Sequence, residues 1–249
     1  MSINLDDFMD SEEVDIATNN ITVAATGGTT SFKLEIDLLS KKTFTVNGVS
    51  FEMIGVKGGT FMMGPPDNSK HSETVNDFYI GKFEVTQKLW KAVMGSNPSK
   101  KWIGDDLPVE YVLIDDCRAF IDKLNKITGK EFRLLTIEEW EYAARGGVKS
   151  RGFVYSGSNN AIDVGVFDDT RIKPVGSKKP NELGIYDMSG NVGEFCIVKS
   201  DSGNKIKEQE KGGRYYQAAP YDKVWGGRGL DAELIIPYDS RGFRIAIDK

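Results

Sequence analysis

Thr136-Ile137-Glu138-Glu139-Trp140-Glu141-Tyr142-Ala143-Ala144-Arg145-Gly146-Gly147 is the stretch from which the architecture is best read. Thr136 and Glu139 have the spacing of a capping box, in which a hydroxyl and a carboxylate three residues apart satisfy each other's exposed amides. A helix therefore starts here, buries Trp140, Ala143 and Ala144, and stops at the glycine pair. Two more helices precede it. Thr86 caps a short one that carries Leu89, Trp90, Val93 and Met94 on one face and ends at Gly95. Asp115 or Asp116 opens a longer one, with Cys117, Phe120, Ile121, Leu124 and Ile127 in a single stripe and Gly129 at its end.

Further out on the N-terminal side the pattern changes to strands. Phe44-Thr45-Val46 and Val49-Ser50-Phe51 flank Asn47-Gly48, a pair that accepts the positive φ angles of a type I′ hairpin turn. Ile21 to Ala24 and Ser31 to Ile36 alternate apolar and polar residues around Gly27-Gly28, which predicts an earlier hairpin. Pro65-Pro66 leads into a polar segment through His71 and Glu73, read as a loop. Beyond Gly147 the chain is dense in Gly, Asn, Asp and Ser, which predicts long loops with brief strands. Helices in the middle and strands at both ends predict an α+β fold. Residues 1–42 read as an acidic N-terminus with a small β extension, and 43–249 as one continuous domain.

Composition narrows the chemistry. The net charge is −5 and no basic stripe occurs, so nucleic acid is not expected as a partner. No apolar run approaches the ~20 residues of a membrane-spanning helix, so no membrane insertion is expected. The acidic start lacks the basic and apolar segments of a secretion signal, which suits a cytoplasmic or phage-associated product, or one exported by another route. Cys117 and Cys196 are the only cysteines and read as small buried hydrophobes. His71 is the only histidine, and one imidazole cannot build a multi-histidine metal site.

Several motifs then follow in a familiar order. They are Gly58-Gly59-Thr60-Phe61-Met62-Met63-Gly64, Glu84-Val85-Thr86, Asn97-Pro98-Ser99, Leu107-Pro108-Val109-Glu110 and Phe132-Arg133-Leu134, running into the helix quoted above. Asn181-Glu182-Leu183-Gly184-Ile185-Tyr186-Asp187-Met188-Ser189-Gly190-Asn191-Val192, Gly212-Gly213 and Arg241-Gly242-Phe243-Arg244 complete the series. Over about residues 45–249 the chain resembles the sulfatase-modifying-factor family, named for the formylglycine-generating enzyme. The resemblance implies a C-type-lectin-like fold with few regular elements.

It leaves function open. The family includes a copper-dependent oxidase, iron-dependent sulfoxide synthases and non-catalytic ligand-binding domains, among them the variable proteins of diversity-generating retroelements. The oxidase needs two closely spaced cysteines after the Gly-Gly motif. The stretch from Arg214 to Trp225 contains none, and the histidines of the iron enzymes are absent too. The resemblance therefore favours a non-catalytic ligand-binding protein with a variable recognition surface. The alternatives are an enzyme of the formylglycine-generating type with altered chemistry and a structural surface or virion module.

The expected surface is the segment 214–240. It mixes Tyr215, Tyr216, Tyr221 and Tyr238 with Arg214, Gln217, Asp222, Arg228, Asp231, Glu233 and Asp239, residue types that concentrate binding energy. Val224 and Trp225 are expected in the core, while Leu234-Ile235-Ile236-Pro237 reads as an apolar patch or a buried loop. A protein or cell-surface glycan is the expected ligand, and the N-terminal extension offers a route to oligomers. Asn191, Val192, Gly193 and Glu194 match a family stretch that can hold a structural calcium through hard oxygen ligands. Gly193 and Phe195 stand where the family usually has tryptophans, and the glycine is expected to loosen that loop. No other cofactor is expected.

Overall fold

The computed structural model describes residues 20–22, 33–35, 39–198, 207–219, 223–229 and 240–249. The chain forms two compact units, Met1–Leu39 and Ser40–Lys249. In the first, β1 (Asn20–Thr22) pairs antiparallel with β2 (Lys33–Glu35), Ile21 opposite Leu34. Gly27-Gly28 lies outside the described residues.

The second unit opens with β3 (Lys42–Val46) and β4 (Val49–Val56). Asn47 at φ 47° and Gly48 at φ 80° make the type I′ turn between them. After β4 come β5 (Gly59–Met63), β6 (His71–Val75) and β7 (Phe78–Gly81), followed by α1 (Gln87–Met94) and α2 (Ile114–Thr128). β8 (Phe132–Leu134), α3 (Ile137–Ala144) and the short α4 (Ala161–Val164) precede a long loop. The chain closes with β9 (Gly193–Val198), β10 (Lys207–Lys211), β11 (Gly227–Gly229), β12 (Arg241–Gly242) and β13 (Ile245–Asp248).

Two sheets result. The first is antiparallel in the order β3-β4-β7-β13-β8, so the last strand of the chain sits between β7 and β8. The second runs β11-β10-β9-β12, with β12 parallel to β9. β5 and β6 form a separate hairpin.

Two expectations change. The long helix begins at Ile114, because Asp116 acts from inside the first turn, its carboxylate accepting the Leu113 amide at 2.8 Å. His71 and Glu73 lie in β6 rather than a loop; an exposed hairpin strand pairs through its backbone and tolerates polar side chains.

α1 and α2 close the core from one side. Trp90 stacks on Phe120 at 5.1 Å, and Phe243 meets both rings edge-on at 6.1 and 5.4 Å. α3 is buried along its length, including Glu138, Glu139 and Glu141. The capping box forms as read: Glu139 N–H donates to Thr136 Oγ1 at 3.2 Å and Thr136 N–H to Glu139 Oε2 at 3.0 Å.

The core also encloses a charged group. Arg244 is fully buried and donates to both Glu194 oxygens, at 2.8 Å from Nε and 2.6 Å from Nη2. It also donates to the carbonyls of Gly81 and Tyr186 at 3.0 and 2.9 Å, while the Trp140 indole donates to Glu194 Oε2 at 2.8 Å. Glu84 and Asp187 lie near the same pair. Burial, reinforced by Asp187 and Glu194, pushes the Glu84 carboxyl well up from its ordinary range. Burial raises Asp187 to about 6, although its hydrogen bond from the Gly176 amide and the charge of Arg244 pull the other way.

Two consequences can be measured. Phe243→Ala removes the ring that both Trp90 and Phe120 pack against, and should cost about 3–5 kcal/mol in denaturant unfolding. Asp187 holds its proton more tightly folded than unfolded, so its contribution to stability is present at low pH and is lost as pH rises through about 6. Asp187→Asn keeps an acceptor for Gly176 and carries no charge. Its melting temperature should gain on that of the native chain as pH rises from about 4 to about 7; a gap that stays constant with pH contradicts the assignment.

Candidate functional site

Gly212 at φ 89° and Gly213 at φ 78° turn the chain sharply out of β10. A Cβ on Gly212 would lie 3.1 Å from the Trp140 ring, so both the backbone angle and the close approach favour glycine. The next residues fold back inward. The Tyr215 amide donates to the Asn191 carbonyl, and the Asp169 amide to the Tyr215 carbonyl, each at 2.8 Å.

Arg214 is buried and reaches Glu210 twice, with Nε on Oε1 and Nη2 on Oε2, both at 2.5 Å. Burial alone would lower its pKa, but the Glu210 carboxylate outweighs that and holds the guanidinium charged. Its remaining Nη1 donates to the Tyr216 hydroxyl at 2.6 Å. Tyr215 is buried edge-on to Trp102 at 5.1 Å and to Tyr216 at 5.2 Å. Tyr216 is 48% exposed, and Gln217 beside it is half-buried.

The residues picked out by sequence therefore divide. Tyr216 and Gln217 reach the surface, while Arg214 and Tyr215 point inward and support them. Val224 is fully buried, and Trp225 packs on the core between Arg145 and Lys223, 5.5 and 5.4 Å from its ring centre. Arg228 lies in β11, its backbone paired with Glu210. Tyr221, Asp222, Asp231, Glu233, Tyr238 and Asp239 lie outside the described residues, as does Leu234-Ile235-Ile236-Pro237.

Two contributors escaped the sequence reading. Trp102, with Lys101 Nζ 4.3 Å above its ring, comes from a loop remote in sequence and extends the aromatic group. Glu210 looks like one charge among several in Lys207-Glu208-Gln209-Glu210-Lys211. The strand is polar throughout and its neighbour Lys211 is buried too, so no alternation marks Glu210 as inward-facing, and its arginine partners meet it only in the fold.

The expected calcium ligands are otherwise engaged. Both Glu194 oxygens accept from Arg244, so a guanidinium already supplies the positive charge there. Asn191 Oδ1 accepts the Lys173 amide at 3.0 Å, and its Nδ2 faces Glu84 at 3.2 and 3.3 Å. Val192 is a buried core residue. The donor set at 191–194 does not fit a calcium ion. Nor does Gly193 loosen a loop: it is the first residue of β9, paired with Arg241.

Chemically, the surface offers an exposed phenol held by an anchored arginine, next to an amide side chain. Cys117 and Cys196 are buried elsewhere in the fold, and burial pushes both thiols well up, which makes them poor nucleophiles.

Residues 41–249 match the sulfatase-modifying factor enzyme 1-like domain. The chaperone protein LppX of Paenibacillus barcinonensis is 40% identical over 201 residues, covering 59% of this chain and 71% of that protein. The formylglycine-generating enzyme of Thermomonospora curvata is 32% identical over 129 residues, 45% of this chain and 40% of the enzyme, so the chain spans less than half of that relative. Among solved structures, Treponema denticola variable protein 1 superposes with a TM-score of 0.74 at 26% identity, covering 84% of this chain and 99% of that one. PvdO from Pseudomonas aeruginosa shares the fold, with a TM-score of 0.70 at 23% identity over 84% of this chain and 98% of its own. The chain belongs to the sulfatase-modifying-factor family and has its C-type-lectin-like α+β fold.

Proposed function

We propose that this protein is a non-catalytic binding member of the family, a variable protein of the diversity-generating retroelement type, whose recognition surface begins at Tyr216 and Gln217. The observation that carries the reading is the residue set after Gly212-Gly213. Where the related oxidase would need its cysteine pair, a buried arginine presents an exposed tyrosine. The likeness to Treponema denticola variable protein 1 over nearly that protein's whole length supports the same reading. Tyrosine offers a large rigid face with a polar end at low entropic cost, which suits a protein or a cell-surface glycan as ligand.

A second reading has its own support. The 40% identity to a protein named as a chaperone favours a role in assisting other proteins. Suppressed light scattering from a chemically denatured probe enzyme, at equimolar ratio, would favour that role over selective recognition. Stoichiometric copper or iron after expression in supplemented medium would instead revive an enzyme of altered chemistry. An oligomer that dissociates when residues 1–42 are removed would give the N-terminal extension an anchoring role.

The test of the main proposal is Tyr216→Ala combined with Gln217→Ala, assayed on protein and glycan arrays. We expect retained ligands to weaken at least about tenfold, or about 1.4 kcal/mol. The melting temperature should hold, because neither side chain lies in the core. Undiminished binding by the double variant would place the ligand on another face.

A further inference from the structure

Glu210 does more than pair with Arg214. Its Oε2 also accepts from Arg241 Nε at 2.8 Å, and all three side chains are buried. Arg214 and Arg241 stand at the two ends of the segment that carries the proposed recognition surface. The strand bearing Glu210 also holds that segment's middle, since Glu210 pairs through its backbone with Arg228 in β11.

The room for this arrangement comes from Gly193. A Cβ built there would sit 2.1 Å from Glu210 Oε1 and 2.5 Å from its Cδ. Any side chain at 193 therefore displaces the carboxylate. Arg241, the β12 partner of Gly193, brings the far end of the segment to the same point.

We infer that Glu210 is a positioning residue, a single buried carboxylate that clamps both ends of segment 214–241 through Arg214 and Arg241, with Gly193 as its obligate counterpart. The clamp lets the segment's exposed residues change without loosening its attachment, because its ends are set by charge-assisted hydrogen bonds below the surface. This consequence rests on the recognition reading; the clamp itself does not.

Amide hydrogen exchange on the full chain, with no ligand added, tests it. The Tyr215 amide, bonded to Asn191 O, reports one end, and the Gly193 amide, bonded to Ser240 O at 2.8 Å, reports the other. Glu210→Gln should speed exchange at both by about tenfold or more, with Trp90 in α1 and Trp140 in α3 unchanged. Gly193→Ala should reproduce that pattern, and stands in if Glu210→Gln fails to fold. Glu210→Ala combined with Gly193→Asp returns a carboxylate to the same space from the neighbouring strand and should restore slow exchange at both ends. Unchanged exchange at the ends, equal acceleration at Trp90 and Trp140, or no rescue by the relocated charge would each overturn the clamp. Loss of the recognition reading through the Tyr216 and Gln217 variants would leave these results standing.

Discussion

Arg244 and Glu194 form an ion pair that no water reaches, and much of the chain is arranged to make that tolerable. A guanidinium taken out of water and left unpaired costs several kcal/mol, so every one of its donors needs an acceptor at a defined place. Those acceptors come from distant parts of the sequence: Gly81 at the end of β7, Tyr186 in the long loop, and Glu194 in β9. Trp140 of α3 donates to the same carboxylate. Both sheets, the third helix and the long loop therefore meet at one charged point, and none can shift without exposing a desolvated charge.

A similar logic substitutes for regular structure in the long loop. Asn181 accepts the amides of Leu183 and Ile185 on its Oδ1 and donates to the Ala143 carbonyl and Ser156 hydroxyl from its Nδ2. Asp187 and Asn191 both adopt positive φ, which short polar side chains tolerate better than branched ones. Side-chain amides and carboxylates thus satisfy backbone groups that a helix or ladder would otherwise serve. The loop is irregular yet held at several points by these side chains, which suits a fixed frame for exposed residues.

Glu210 repeats the Arg244 arrangement closer to the surface. In each case one carboxylate gathers guanidinium donors below the reach of solvent. Around Glu194 the result is a core; around Glu210 it is a platform on which Tyr216 is held from beneath by Arg214. Lys211, next along β10, is buried as well and meets Glu141 of α3 at 3.2 Å, so the platform is joined to the helix.

By itself the sequence determined whatever depends on near neighbours. The type I′ turn at Asn47-Gly48, the capping box at Thr136 and Glu139, the three principal helices and the order of family motifs follow from spacings of a few residues. Only the tertiary structure decided which side chains of the segment after Gly213 face outward. Tyr215 and Tyr216 are the same residue type side by side, in a stretch with neither helical nor strand period. One is buried because Asn191 and Asp169 bind its backbone while Trp102 covers its ring; the other is exposed because Arg214 takes its hydroxyl. Likewise Asn191 and Glu194 read as metal ligands until Arg244, fifty residues beyond Glu194, arrives to occupy the carboxylate. The direction of a side chain in a loop is set by partners remote in sequence, and their approach is a property of the folded chain.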